Sequence, residues 1–270
     1  MPKILFTDLD DTLLNSQKQV CEENKTAIAE LIDQGHKIVL TTGRSIPSAV
    51  KQAENIGLTF EGCYLIGFNG GEIFDTYARK TLYKSRLSIA MVKEIFDLAE
   101  EYHQHVQTYD ERFVLSRTEN PHLLRYCELM SCEYKIVYDI FSVLGDGPSK
   151  VIIANYEDHA ILETLREIIL DRYGDIVDSF FSDTALLEVV SKGTSKGSAL
   201  VRLCDILGVP LENTVASGDA MNDIPMIQAA HVGVAMINGD DCVKEVADYI
   251  TTTDNNHGGV AEVIRKFILS

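Results

Sequence analysis

The apolar run Ile4-Leu5-Phe6 ends in Asp8-Leu9-Asp10-Asp11-Thr12. A buried strand that surfaces in carboxylates leaves the chain few ways to fold. Side chains alternate along a strand, so Asp8 and Asp10 point the same way while Leu9 turns back into packing. Two like charges that close raise each other's pKa unless something positive stands between them. A divalent cation is the simplest remedy, and an oxygen-only set with few protein donors suits Mg2+. A Ca2+ loop counted from Asp8 would need Gly and Glu at its sixth and twelfth places, where Leu13 and Gln19 stand. Taken alone, the segment is equally a solvated acidic turn.

Three further sites are punctuated in the same way. Lys37-Ile38-Val39-Leu40-Thr41 predicts a strand running into Thr42-Gly43-Arg44, with a helix from about Ser45. A strand over Asn213-Thr214-Val215-Ala216-Ser217 opens into Gly218-Asp219-Ala220-Met221-Asn222-Asp223. Between them, Ser191-Lys192-Gly193-Thr194-Ser195-Lys196-Gly197 starts a helix with Leu200, Leu203 and Leu207 on one face. If the strands are parallel neighbours, every site falls at a carboxyl end, the edge where open α/β sheets bind ligands. Alternating strand-like and helix-like segments predict a doubly wound, Rossmann-like parallel sheet. One of those helices is expected over Glu23–Gln34, with Gly35 as its stop.

The middle breaks this rhythm. From about Ser85 to Asp183 the pattern predicts a helix over Ile89–Tyr102, strands over His105–Tyr109 and Phe113–Ser116, an undefined stretch, a strand over Lys150–Asn155, a helix over His159–Leu170 and two closing strands. Segregated elements of this kind indicate an α+β module inserted in the α/β core. The expected division is therefore 1–84 and 184–270 for the core, and 85–183 for the insert.

The order Asp8-x-Asp10-x-Thr12, Thr42, Lys196 and Gly218-Asp219-x-x-Asn222-Asp223 resembles the haloacid dehalogenase superfamily of phosphotransferases. Finer features are similar to its Cof-type phosphatases with a type IIB cap: Thr41-Thr42-Gly43-Arg44, Phe68-Asn69-Gly70-Gly71, and the closing Asn255-Asn256-His257-Gly258-Gly259-Val260. The likeness spans essentially the whole chain. Family members often carry Gly or another small residue where Asp11 stands, and commonly Ala where Gly71 stands.

The resemblance implies a core catalytic domain and a cap made by the insert. It also implies Asp8 as nucleophile, forming an aspartyl-phosphate, and Asp10 as general acid and base, protonated at the start. Mg2+ would be held by the Asp8 carboxylate, the Asp10 carbonyl and Asp219, with Asp223 supporting the metal or the lysine. Thr42 and Lys196 would donate to phosphoryl oxygens, with Gly43, Asn69 and Asn222 lining the substrate. Thr42 by itself is an ordinary helix N-cap. Lys192 rivals Lys196, which is favoured because Thr194 or Ser195 can cap a helix that begins there. Arg44 suits a structural ion pair at least as well as a catalytic part, Asn255 or Asn256 could line the substrate edge, and His231 and His257 are expected to be structural or solvent-facing.

A net charge of −17 argues against nucleic-acid or anionic-membrane partners. Six cysteines without Cys-x-x-Cys spacing fit idle thiols in a reducing cytoplasm. No leader or membrane-span pattern stands out. The expected protein is a cytoplasmic Mg2+-dependent phosphatase of small phosphorylated metabolites, sugar phosphates first, acting as a monomer or weak homodimer. A phosphomutase is the nearest alternative, and a non-catalytic metabolite-binding regulator a more distant one.

Overall fold

Strands that are buried on both faces carry unbroken apolar runs, and β1 (Ile4–Asp8) is buried at all five positions in the computed structural model, which describes residues 2–130 and 132–270. Around it the chain continues through α1 (Glu22–Asp33), β2 (Lys37–Thr41), α2 (Ile46–Asn55), β3 (Cys63–Gly67), β4 (Glu72–Asp75) and β5 (Lys80–Lys84). It then enters an insert made of α3 (Ile89–Glu101), β6 (His105–Tyr109), β7 (Val114–Ser116), α4 (Pro121–Met130), β8 (Tyr134–Ile136), β9 (Lys150–Ala154), α5 (His159–Tyr173), β10 (Val177–Asp183) and β11 (Leu186–Ser191). It closes with α6 (Lys196–Leu207), β12 (Thr214–Gly218), α7 (Ile224–Ala229), β13 (Val232–Ala235), α8 (Asp241–Lys244), β14 (Tyr249–Ile250) and α9 (Gly259–Phe267). Two compact units result, residues 1–83 with 195–270, and residues 84–194.

The first unit holds one sheet in the order β14-β13-β12-β1-β2-β3-β4-β5. The pairs from β14 through to β3 are parallel, and β4 runs antiparallel to β3. Because side chains alternate, Ile4 and Phe6 meet Ala199, Leu200 and Leu203 of α6 and Met226 of α7. On other elements of the unit, α1 packs against α9 and touches β2, while α9 touches β12. Glu22 and Glu23 at the start of α1 complement its dipole, and Gly35 at φ +78° follows its end. The parallel order leaves the ends of β1, β2, β3 and β12 at a common edge, with β1 and β2 in the middle.

The insert has its own sheet, ordered β10-β11-β9-β6-β7-β8, and its own core, in which Val106, Val151, Ile153, Leu187 and Val189 meet α3 and α5. The expected boundary at Asp183 lies between β10 and β11, but the unit runs on to Thr194. The reason is pairing: β11 is bonded to β10 on one side and β9 on the other, so it cannot belong to the other sheet. The stretch left undefined by periodicity contains α4 and β8. Asn120-Pro121 was the signal there, since the Asn120 side chain accepts from Leu123 N at 3.0 Å and Pro suits a first helical turn.

Alternation in β6 puts Val106 in the apolar core and His105, Gln107 and Tyr109 on the other face. These form a buried polar chain. Asn120 Nδ2 donates to His105 Nδ1 at 2.9 Å, His105 Nε2 donates to Gln107 Oε1 at 2.9 Å, and the Tyr109 and Tyr126 hydroxyls are bonded. Both imidazole nitrogens are thus committed in the neutral ring, and burial, opposed by the Gln107 bond, lowers its pKa from 6.5 to about 4. A depressed histidine adds stability that is full above pH 6.5 and is lost as pH falls toward 4, because the unfolded chain takes up the proton first. The loss is expected to reach roughly 3 kcal/mol. Denaturant titrations between pH 7.5 and 4.5 should therefore show a shallower pH slope for His105→Gln than for the parent, and equal slopes would contradict this assignment.

Candidate active site

Asp8 is the last residue of β1, and Lys196 the first of α6. Ser195 caps that helix, its hydroxyl accepting from Ser198 N while Ser198 Oγ accepts from Ser195 N. Local sequence therefore fixes where the helix starts, and the start fixes the lysine. The Lys196 ammonium is fully buried and lies 2.5 Å from both Asp8 Oδ1 and Asp223 Oδ1. Burial opposes its charge, but the carboxylates of Asp223 and Asp8 outweigh that and raise its pKa. Lys192 instead pairs with Asp178 at 2.8 Å within the insert, half exposed. Of the two lysines, the fold brings Lys196 beside Asp8 and leaves Lys192 on the insert.

Asp219 and Asp223 follow β12. Gly218, the last residue of β12, has to lack a side chain, since a Cβ there would overlap the Asp223 side chain. The second Asp223 oxygen accepts from the backbone N–H groups of Asp219 and Ala220 at 3.0 and 3.1 Å. Asp223 is thus already used by the lysine and by the turn, which makes it a support. Asp219 Oδ1 accepts the Thr12 hydroxyl at 2.5 Å. Thr12 was legible only as part of a motif, with no task of its own, and the structure makes it the residue that orients Asp219.

Among the described residues, Asp8, Asp219 and Asp223 form the one group of acids close enough to share an ion, each offering an oxygen within 4.8 Å of the others. Burial, partly offset by Lys196 and reinforced by Asp223 and Asp219, pushes the Asp8 carboxyl well above the usual range. Burial likewise raises Asp219 to about 6, against the Thr12 hydrogen bond. Three carboxylates with one ammonium leave two negative charges uncompensated, and all donors are oxygen. That set fits a hard divalent cation.

The side chain of Asp10 stands outside this group. Arg44 Nε and Nη2 fork onto its two oxygens at 2.9 and 2.7 Å, and Lys18 Nζ adds a contact at 3.1 Å. Burial raises the Asp10 carboxyl, but the Arg44 hydrogen bonds and the charges of Arg44 and Lys18 prevail and hold it below the usual range. The expectation of a carboxyl protonated at the start thus meets an ion pair that keeps it ionised. Immediately after Asp10, Asp11 adopts φ +61°, which Gly takes without strain and Asp tolerates better than most residues.

Thr42 lies just past β2 and is not a helix cap, since Ser45 holds that place before α2. Its Oγ1 accepts from Arg44 N at 3.2 Å, so its own proton can be given elsewhere. Gly43 abuts the Asn69 carboxamide, where a Cβ would come within 3.2 Å. Asn222 donates to Asn69 rather than to open space, at 3.1 Å. Asn255 and Asn256 tie down the loop after β1: Asn255 Nδ2 donates to Leu14 O, and Asn256 Oδ1 accepts from Ser16. His257 is exposed and bonded to Asp254.

The first unit is thus a doubly wound α/β sheet that carries a lysine locked among acids at its carboxyl edge. Comparison with known proteins gives the family. The sequence pattern described as haloacid dehalogenase-like hydrolase matches residues 5–264. The chain is 32% identical over 271 residues to the 5-amino-6-(5-phospho-D-ribitylamino)uracil phosphatase YcsE of Bacillus subtilis, covering 99% of this chain and 96% of that one. It is 29% identical over 275 residues to YitU, a phosphatase of the same description from the same organism, covering 98% and 97%. A crystal structure of a haloacid dehalogenase-like hydrolase from Bacteroides thetaiotaomicron matches with a TM-score of 0.89 at 29% identity, covering 98% of this chain and 99% of that one. The chain belongs to the haloacid dehalogenase-like hydrolases, and its activity class is phosphoric monoester hydrolase.

Proposed function

We propose that the chain is a Mg2+-dependent phosphatase of small phosphorylated sugars or sugar alcohols, working through a phosphoryl group carried on Asp8. The observation that supports this most is the buried set of Asp8, Lys196, Asp223 and Asp219 at one sheet edge, with a charge that a divalent ion would balance. Asp8 and Asp219 would hold Mg2+, which when bound offsets negative charge on the transferring group.

The chain's own residues carry the remaining demands. An Asp8 oxygen attacks phosphorus as the ester P–O bond breaks, which divides one hard step into two. Lys196 and the Thr42 hydroxyl stabilise phosphoryl oxygens. Asp10 protonates the departing alkoxide, then removes a proton from the water that cleaves the acyl phosphate. The Arg44 pair suits the second task at rest, and the first requires that pair to open once substrate is bound.

The substrate class is supported by the relatives named as phosphatases of a phosphorylated ribitylaminouracil. Nucleotide and cofactor phosphates come second. In this reading the insert, residues 84–194, discriminates among esters as a cap. No helix among the described residues is long and apolar enough to cross a membrane. The net charge of −17 favours a small-molecule substrate over nucleic acid in this reading.

The test is phosphate release from a panel of sugar, sugar-alcohol and nucleotide monoesters. EDTA should abolish release and Mg2+ restore it, while excess Ca2+ inhibits through its larger, less regular shell. Asp219→Asn should raise the Mg2+ requirement as well as lower turnover. Full release in chelator rejects the metal assignment. An isomerised ester in place of free phosphate makes the chain a mutase, and binding without turnover makes it a regulator.

A further inference from the structure

The insert holds two cysteines that its fold brings together. Cys127 lies in the last turn of α4, and Cys132 stands just beyond it. The Cys132 N–H donates to Cys127 O at 3.1 Å. That six-to-one closure ends many helices, and it sets the side chains of its two end residues against each other. The contact is commonly apolar, whereas here it is thiol to thiol, with the Cys132 thiol donating to Cys127. This hydrogen bond favours ionisation of Cys127 and, with burial, opposes that of Cys132. A disulfide joins Cα atoms about 4.4 to 6.8 Å apart, and a bonded turn of this kind brings its ends to that span.

Other thiols of the chain differ. Cys63 and Cys204 are buried in the first unit, and burial pushes them up to about 12 and about 11, which leaves them inert. Cys127 is buried and Cys132 half-buried, so the pair is open to small oxidants from the Cys132 side. Cys127 follows Tyr126, whose hydroxyl is bonded to that of Tyr109 on β6. The dithiol therefore borders the buried polar chain of the insert.

We infer that Cys127 and Cys132 are a redox modification site, joined reversibly into a disulfide by hydrogen peroxide. The Cys127 thiolate attacks one peroxide oxygen and the O–O bond breaks, leaving a sulfenic acid and hydroxide. The Cys132 sulfur then attacks the Cys127 sulfur, the S–O bond breaks, and the oxygen leaves as water with the Cys132 proton. Hydroxide takes the proton that Cys127 gave up on ionising, so two thiols and one peroxide give one disulfide and two waters. An external dithiol reverses the reaction by exchange. Bridging fixes the last turn of α4, and with it the bond from Tyr126 to β6. Without Cys-x-x-Cys spacing all six cysteines read as idle thiols, and the closure at the end of α4 singles out two of them. The inference is independent of the phosphatase reading.

Hydrogen peroxide treatment of the full chain, read by intact mass, tests it. The parent should lose two hydrogens and regain them with dithiothreitol. Cleavage after Glu128 by a Glu-specific protease separates the two cysteines, so unreduced digests should hold the flanking peptides joined and reduced digests should release them. In Cys132→Ser the Cys127 sulfenic acid has no thiol to meet and should be captured by dimedone. In Cys127→Ser the mass loss should vanish, and dimedone capture at Cys132 should fall at least about 10-fold below that at Cys127, because the thiolate is the reacting form. Amide hydrogen exchange over α4 should slow in the oxidised parent and in neither variant. A parent that is unchanged by peroxide overturns the inference, as does one that gains oxygen or dimerises through Cys242 with Cys127 and Cys132 still unjoined. Dimedone capture at Cys132 exceeding that at Cys127 overturns the order of attack.

Discussion

Asp8→Asn is expected to reduce hydrolysis of every ester by roughly 10⁴- to 10⁶-fold, because no other group can replace an attacking oxygen placed at the end of β1. Asp10→Asn should behave differently. It keeps the nucleophile and loses the proton donor, a loss that matters greatly for a sugar alkoxide and far less for p-nitrophenolate. Its second step still lacks a base, so the aspartyl-phosphate should accumulate. The signature is a burst of nitrophenol followed by slow turnover, with acid-stable label on Asp8 in rapid quench. The structure adds a control: Asp10→Asn removes the negative partner of Arg44, whose fork is 2.7 to 2.9 Å from its oxygens. Arg44→Lys, which keeps the charge but not the bidentate geometry, should disturb both ester classes alike. If Asp10→Asn shows neither a burst nor a preference for aryl over alkyl esters, Asp10 is not the acid and base.

Lys196→Ala should lower turnover by about 10²- to 10³-fold or more, the usual result of removing one preorganised charge from a transition state. It should also destabilise the fold by about 3–5 kcal/mol, since Asp8 and Asp223 would be left buried without their cation. The two effects are separable. Lys196→Met with Asp223→Asn relieves the uncompensated charge, so melting should recover toward the parent while turnover stays low. Recovery of both would show that the lysine serves only the fold. Lys192→Ala should change turnover less than about 2-fold, because its exposed pair with Asp178 belongs to the insert and such pairs contribute little.

Short apolar runs that end in acids or in Gly-Asp were enough to place strands with their chemistry at the carboxyl ends, and an unbroken apolar run is what a doubly buried parallel strand requires. A cap at Thr194 or Ser195 was enough to start a helix at Lys196, because a cap fixes a helix start within its own few residues, and the structure shows Ser195 to be that cap. Partners were another matter. Arg44 and Asp10 are 34 residues apart, Thr12 and Asp219 207, and Asn69 and Asn222 153, and nothing local in either member of a pair names the other. The same holds for Asp223, since nothing in its local sequence could show that one oxygen would serve Lys196 and the other the turn. The edge of the insert was equally hidden, since β11 alternates in the same way whichever sheet it joins, and only its bonds to β9 and β10 assign it. Sequence by itself determined the strands and helices that border the site, though not α4 and β8 of the insert, and the residue types at their ends, because propensity, capping and apolar period act over a few residues. Tertiary structure alone decided which charges neutralise one another, because that depends on distances that exist only once the strands lie side by side.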